Sequence, residues 1–513
     1  MKKTILILPL LILFYYGCND DETPNIDMDI VENLSVIVNP SGVAPLTAQL
    51  LIQTSVDASV EITIQGKNGA NSNVTHHFSN VGKTHDLMVL GLYADYDNPI
   101  HLAFFNENSV KIDEETFSIQ TDPLISALPQ IEINTVNESQ MTPGMHFVNY
   151  LGHNGVPFPP RPFMFDNFGD IRWYLDFSSN EILDYSFSDV GMFRLQNGNL
   201  IFGDRFFPAI YEVDMYGVIQ NTWNLTGYSF HHTVIEKPDG NLLVTVNDDA
   251  KTTEEDIILE LDRNSGQIVR LWDLTISLDP TRKVWDTNLA DITKDWFHAN
   301  ALFWDEADNT LIVSGRTQGV VKLTTDNEVV WILAPHKGWN TAGNGNDLNQ
   351  YLLQPLDAQG NPIQDQLVLE GDINHPDFEW NWYQHGPTKL PNGNLLLFDN
   401  GDNRNYLGLP TYSRAVEFKI DETNKTVQQV WQYGKERGEE TYSRVVSKVQ
   451  YFSNENNVLF TPDAVLYNGV HYGKVLEINK TTNTLVFEAT VTPPVSLGIN
   501  TFHNAVREQL YVE

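Results

Sequence analysis

Three histidines stand at matched places along the chain. They read "FHHTVIEKPDGN", "FHANALFWDEADN" and "YQHGPTKLPNGN", and each opens an apolar stretch that ends in a polar turn. His232 lies 8 residues before Gly240 and His385 lies 8 before Gly393, while His298 lies 10 before Asp308. His503, in "FHNAVREQLYV", opens the last apolar stretch at a similar place. Arg316 closes "TLIVSGR", the stretch that returns after the His298 turn. Neutral imidazole is a nucleophile near pH 7, because its unperturbed pKa of about 6.5 leaves it mostly unprotonated. A guanidinium is permanently cationic, and its fork of donors fits tetrahedral oxyanions. Extra His and Asn donors suit oxygens whose charge grows in a transition state. The set therefore suits transfer of a sulfuryl or phosphoryl group through a covalent histidine. Clustered histidines also bind zinc or copper, so a metal site stands as the competing chemistry. No P-loop and no dinucleotide glycine motif is visible, so a nucleotide donor is not expected.

These residues need a scaffold that brings distant stretches to one point, and the sequence supplies a repeat. A turn followed by an apolar strand recurs as "QNGNLIFGD" (196–204), "PDGNLLVTVND" (238–248), "ADNTLIVSGR" (307–316), "PNGNLLLFDN" (391–400) and "NENNVLFTPD" (454–463). Asn-Gly and Asp-Gly supply the positive φ of tight hairpins. A second hairpin follows each copy and often ends in Trp, as at Trp223, Trp272, Trp331 and Trp431, which are read as packing residues between units. Two hairpins make a four-stranded unit, and five complete units run from about 187 to 490. A spare half-unit, "FDNFGDIRW" (165–173), precedes them, and a spare opening strand (502–512) follows. The two leftovers complete a sixth unit and close a ring, which removes exposed sheet edges. The expectation is an all-β chain whose residues 141–513 form a six-bladed β-propeller, with an array of β-sandwiches as the alternative. In a propeller the first strand of each blade lines the central channel, so the histidines meet at one mouth, joined by Arg316, Asp399, Asn400 and Arg404. Strand alternation puts His231 on the face opposite His232.

Ahead of the repeat, residues 33–135 show short alternating strands punctuated by Gly, Pro and Asn, the grammar of a small Ig-like β-sandwich. Residues 128–140 read as a connector. Lys2 and Lys3 precede the apolar run 4–17, which is short for a membrane span and suits a signal peptide. Cys18, the only cysteine, follows Gly17, so 1–18 reads as a lipoprotein signal with Cys18 as the lipidated residue and 19–32 as a linker. That places the protein in the outer membrane through a lipid anchor, facing the periplasm or the cell surface. With Cys18 used, no disulfide can form within the chain.

The 513 residues carry 31 Lys and Arg against 67 Asp and Glu, a formal charge of −36. Nucleic acid is thereby a poor partner, and an anionic substrate needs a local cationic cluster.

The motifs "DWFHANAL" (295–302), "SGRTQ" (314–318), "LDAQGNPI" (356–363), "WNWYQHGP" (380–387) and "LPNGNLLLFDNG" (390–401) resemble the core of the bacterial arylsulfate sulfotransferase family. "VNPSGVAPLTAQL" (38–50) resembles the opening of its N-terminal domain. The resemblance implies a six-bladed propeller, no cofactor, and ping-pong sulfuryl transfer from a phenolic sulfate donor to a phenol acceptor; a homodimer is compatible with it. Carried onto this chain, His385 matches the nucleophile. His298, Asn300 and Arg316 match groups that hold the sulfuryl oxygens, and His232 matches a donor or proton shuttle at the ester oxygen. Arg404 and His503 are added as candidate substrate-binding residues. Gly386 stands where the pattern has Thr. Outside the resemblance, the alternative function is a surface-anchored metal- or polysaccharide-binding propeller, with lyase activity as one form.

Overall fold

The computed structural model describes residues 30–150, 161–184, 191–283, 294–407, 409, 412–494 and 502–512. The leader and Cys18 lie outside them, and so does Val190, the first-blade counterpart of the histidine positions.

Period-two sequence and Asn-Gly punctuation produce six antiparallel sheets around one axis. Blade 1 is Phe193–Arg194, Leu200–Asp204, Ala209–Val213 and Ile219–Asn224. Blade 2 is Tyr228–Glu236, Leu242–Asp248, Ile257–Leu261 and Ile268–Asp273, and blade 3 is Ala299–Asp305, Thr310–Gly315, Gly319–Leu323 and Val329–Leu333. Blade 4 is His385–Lys389, Leu395–Asp399, Arg414–Asp421 and Thr426–Tyr433, with Gln354–Leu356 added in parallel to its outer edge. Blade 5 is Lys448–Phe452, Asn457–Thr461, Val470–Asn479 and Thr484–Thr492.

The sixth blade closes the ring. Phe502–Glu508 pairs with Met145–Tyr150 through Ala505 opposite Val148 and Arg507 opposite His146. Phe163–Phe165 and Ile171–Tyr174 complete the sheet. The strand Met145–Tyr150, all of it buried, is the one the repeat pattern did not delimit. The stretch read as a connector also does more than connect: Gln130–Val136 pairs antiparallel with Thr484–Thr492 and forms the outer strand of blade 5.

Two recurrent polar contacts hold the blades. Within a blade, turn asparagines donate to a glutamate on the third strand: Asn199 to Glu212 at 2.7 Å, Asn241 to Glu260 at 3.0 Å, Asn394 to Glu417 at 2.6 Å. Between blades, an outer-strand indole reaches the far turn of the next blade. Trp173 Nε1 donates to the Met215 carbonyl, Trp223 to Arg263, Trp272 to Thr324, Trp331 to Glu422 Oε1 and Trp431 to Asn483 Oδ1, at 2.8–3.0 Å. The packing role expected of the tryptophans is therefore accompanied by a directional tie from blades 6, 1, 2, 3 and 4 to their successors.

The N-terminal Ig-like domain is built on the long strand Thr47–Ile64, which pairs with Val31–Val38, Val74–Leu90 and Asp97–Phe105. It is fastened to blade 6 by Arg172, which is fully buried. Its Nε and Nη2 donate to the Gly91 carbonyl, Nη1 donates to Asp166 Oδ2 at 3.0 Å, and its guanidinium lies 3.6 Å from the Tyr93 ring centre.

Candidate active site

The inner strands begin with a shared distortion. Register shifts fall between Phe230 and Val234, between Ala299 and Ala301, between His385 and Thr388, and between Phe502 and Ala505. Left-handed residues accompany three of them, His232 with φ +52°, His298 with +57° and Gly386 with +54°, and Val446, just ahead of the blade 5 inner strand, has φ +59°. A bulge leaves an extra residue out of the ladder and re-aims its side chain, and these bulges turn the side chains toward the channel.

That geometry corrects one expectation. His231 does not sit on the face opposite His232. The bulge folds both imidazoles to the same side, with ring centres 3.9 Å apart and planes at 84°. The Thr245 hydroxyl fixes the bend by accepting from the Thr233 N–H at 2.9 Å and donating to the His231 carbonyl.

His385 is 3% exposed. Its Nδ1 lies 2.7 Å from Asn400 Oδ1 and 3.2 Å from the Tyr383 carbonyl. Asn400 Nδ2 donates to the carbonyls of Ser443 and Val446 at 2.9 and 3.0 Å. With the amide nitrogen so engaged, the Asn400 oxygen must face His385, and Nδ1 must carry the proton. Nε2 is left with a lone pair. Burial pulls the His385 pKa down to about 3; the Asn400 contact opposes this, and the Arg316 and His298 charges add to it. The imidazole is neutral at every ordinary working pH.

His298 is the opposite case. Burial and the Arg316 guanidinium work against its charge, but Glu255 and Asp295 outweigh them and raise its pKa. Nδ1 lies 2.6 Å from Asp295 Oδ2 and also touches Glu255 Oε2. Its Nε2 lies 2.8 Å from His232 Nε2. His232 is held well below the ordinary histidine range by burial and by the His231 and His298 charges. A proton on His298 Nε2 is thus donated to the lone pair of His232. Glu255 also binds His231 Nε2.

Arg316 is buried, and its Nε and Nη2 have no hydrogen-bond acceptor among the described residues; Asp295 Oδ2 stands 3.8 Å from Nη2. His503 completes the ring of imidazoles, with its ring centre 6.2 Å from those of His232 and His385 and its Nε2 without a partner among the described residues.

Asn300 lines the cavity onto which His385 opens, while Arg404 is committed to a neighbouring ion pair. Asn300 Nδ2 donates to the Gln384 carbonyl at 2.9 Å, so its amide protons brace the residue before His385, and its unpaired atom is an acceptor, Oδ1. Arg404 turns to Asp399 at 3.0 Å and lies 4.3 Å from the Tyr412 ring centre. Asp399 also pairs with Arg414 at 2.7 Å and accepts from the Trp382 N–H, so this group holds the loop behind His385. The aromatic residues ahead of His385 are likewise interior: Phe378 and Trp380 are buried, with ring centres 4.8 Å apart.

Glu255 and Asp295 are the functional residues that sequence reading passed over. Asp295 was within reach, because it stands three residues before His298 in "DWFH". Glu255 comes from the loop between the second and third strands of blade 2 and has no spacing signature. Donor atoms of His231, His232 and Glu255, and of Glu255, Asp295 and His298, lie within 4.8 Å of one another, so among the described residues these five side chains could hold a metal ion.

A ring-shaped propeller presenting an uncharged, oriented imidazole together with a guanidinium that keeps two donors free suits group transfer, and comparison with known proteins gives the class. The model of the Arylsulfotransferase (ASST) family matches residues 130–496, and that of the Arylsulfotransferase Ig-like domain matches 35–122. The chain belongs to the arylsulfotransferase family and is a sulfotransferase enzyme. Among curated relatives, the arylsulfate sulfotransferase AssT of Escherichia coli O6:H1 is 31% identical over 83% of this chain and 84% of that one. AssT of Lelliottia amnigena is 30% identical over 89% and 90%. Among solved structures, a protein of unknown function from Bacteroides caccae aligns with 71% of this chain and 100% of its own, at 12% identity and a TM-score of 0.39.

Proposed function

We propose that this enzyme moves a sulfuryl group from a phenolic sulfate ester to a phenol in two half-reactions, with His385 Nε2 carrying the group between them. The observation that supports this most is the fixed tautomer of His385, whose Nε2 lone pair is kept neutral and aimed into the channel. In the first half-reaction Nε2 bonds to sulfur as the sulfur–aryl oxygen bond breaks, and the departing phenolate takes a proton from the His298–His232 pair. The sulfated ring keeps its Nδ1–H on Asn400. In the second half-reaction the acceptor phenol returns its proton to that pair, its oxygen bonds to sulfur, and the sulfur–nitrogen bond breaks. Arg316 holds the equatorial sulfuryl oxygens through the Nε and Nη2 donors that lack another acceptor. Glu255 and Asp295 keep His298 charged for this role.

Intact mass measured after mixing with p-nitrophenyl sulfate tests the reading. A gain of about 80 Da, the mass of a sulfuryl group, mapped to His385 and absent from His385→Ala, is expected. Unchanged turnover in His385→Ala sinks the assignment.

A metal-dependent reading has one observation in its favour, the convergence of Glu255 and Asp295 with three imidazoles. It requires stoichiometric metal in the purified protein and loss of transfer on chelation, whereas the imidazolium reading requires neither. The leader ending in Gly17-Cys18 supports delivery to the outer membrane as a lipoprotein, and release of a Cys18→Ser variant from the membrane fraction is its test.

A further inference from the structure

His385 opens onto a cavity of about 490 Å³ inside the channel, walled by Phe193, Ile235, Leu302 and Val506. That volume and those apolar walls suit one aromatic ring with a substituent. Lys448, the first residue of the blade 5 inner strand, enters this cavity directly beside the nucleophile. A Cβ on Gly386 would sit 3.2 Å from Lys448 Cγ, so the glycine after His385 leaves the space that the lysine stem fills. Gly386 also takes φ +54°, a second reason for glycine there.

The Lys448 ammonium lies 5.4 Å from the Phe193 ring centre and has neither a hydrogen bond nor an ion pair among the described residues. The other cavity lysine is neutralised: Lys389 pairs with Asp305 at 2.6 Å. The cavity's carboxyl group, Glu508, is pushed up by burial, which favours its uncharged form. Burial pulls Lys448 below the ordinary lysine range, with Glu508 opposing. A partly buried cation whose neighbouring carboxyl group favours its uncharged form is costly, and a bound anion relieves that cost.

We infer that Lys448 sets substrate choice by binding a second anionic group, a carboxylate on the ring or on a short side chain of the phenol, while the phenolic oxygen lies at His385. The inference rests on the proposed sulfuryl transfer for its catalytic consequence, but its binding arm does not.

The experiment compares kcat/KM for 4-hydroxyphenylacetate and for its methyl ester as acceptors, with p-nitrophenyl sulfate as donor. The carboxylate is expected to be preferred by about tenfold or more, the size of a buried hydrogen bond to a charged group. Lys448→Met is expected to abolish that preference, Lys448→Arg to retain part of it, and Lys448→Glu to invert it toward the ester. A general loss of folding or positioning lowers both rates and leaves the ratio alone. An unchanged ratio in Lys448→Met overturns the inference, whether or not both rates fall. Calorimetric binding of 4-hydroxyphenylacetate to the wild type and to Lys448→Met separates the two readings. Binding that depends on Lys448 in a protein that transfers no sulfuryl group upholds the cation site and removes the proposed reaction. Binding indifferent to Lys448 removes the site whatever the turnover.

Discussion

At the scale of single residues, the two central imidazoles are driven to opposite protonation states by their surroundings. His385 has an amide oxygen at Nδ1 and a pKa of about 3; His298 has two carboxylates there and a raised pKa. Titration of the proposed nucleophile is therefore expected to leave the rate of its sulfation flat between pH 7 and pH 5. The charge on His298 is fully present below its ordinary value near 6.5 and is lost as pH rises through the raised one, so the rate declines on the alkaline side. Glu255→Gln removes a group that raises His298, and the alkaline decline moves to lower pH. Asn400→Asp places a carboxylate on His385 Nδ1, raises its pKa and brings in an acid limb that the wild type lacks. Single-turnover sulfation across pH 5 to 9 reads all three. An acid limb near 6.5 in the wild type contradicts the neutral, shielded nucleophile.

The strand and its distortions decide what a histidine in sequence can do. The repeat of turns and apolar strands was legible because hairpins depend on Asn-Gly chemistry and period-two burial, both written locally. The bulges were not. Strict alternation separates His231 from His232, and only the left-handed turn at His232 reunites them. Histidine tolerates that region better than most residues, yet nothing in "FHHT" announces it. Glu255 was invisible for a related reason: its partners come from blades 2 and 3, and no spacing encodes a contact between loops. Between blades, the indole ties make a graded prediction. Trp272 is fully buried and its N–H is committed to the Thr324 carbonyl, whereas Trp431 is partly exposed and reaches an exposed Asn483. Trp272→Phe is expected to cost about 1–3 kcal/mol, from the lost hydrogen bond to the Thr324 carbonyl, which the Asn327 N–H also reaches, and from a smaller ring in a buried site. The same change at Trp431 should cost less than about 1 kcal/mol. Urea unfolding of the two variants checks the contrast, and equal losses refute the ladder as a stabilising device.

Over the whole molecule, the acidic surface and the buried histidines respond to pH on separate scales. The charge of −36 says little about the fold. The interior says more, because His146, His232, His385 and His503 all have lowered values, burial being the first cause in each. As pH falls through about 6.5, the unfolded chain takes up protons at these sites while the folded chain does not. Stability therefore rises with pH in this window. Each site contributes roughly 1 kcal/mol of loss between pH 7 and pH 5.5. His298 acts in the opposite sense and returns less than one such increment, since the unfolded chain takes up its own proton there in the same window. Buried acids with raised values, Asp166, Asp256, Asp402 and Glu508, also oppose the loss, chiefly as pH nears the carboxylate range. The expected result is a lower urea midpoint at pH 5.5 than at pH 7, with net proton uptake on unfolding at pH 5.5. A midpoint that holds or rises on acidification means that the channel histidines already carry protons in the folded protein. The neutral nucleophile on which the proposed chemistry depends then fails with it.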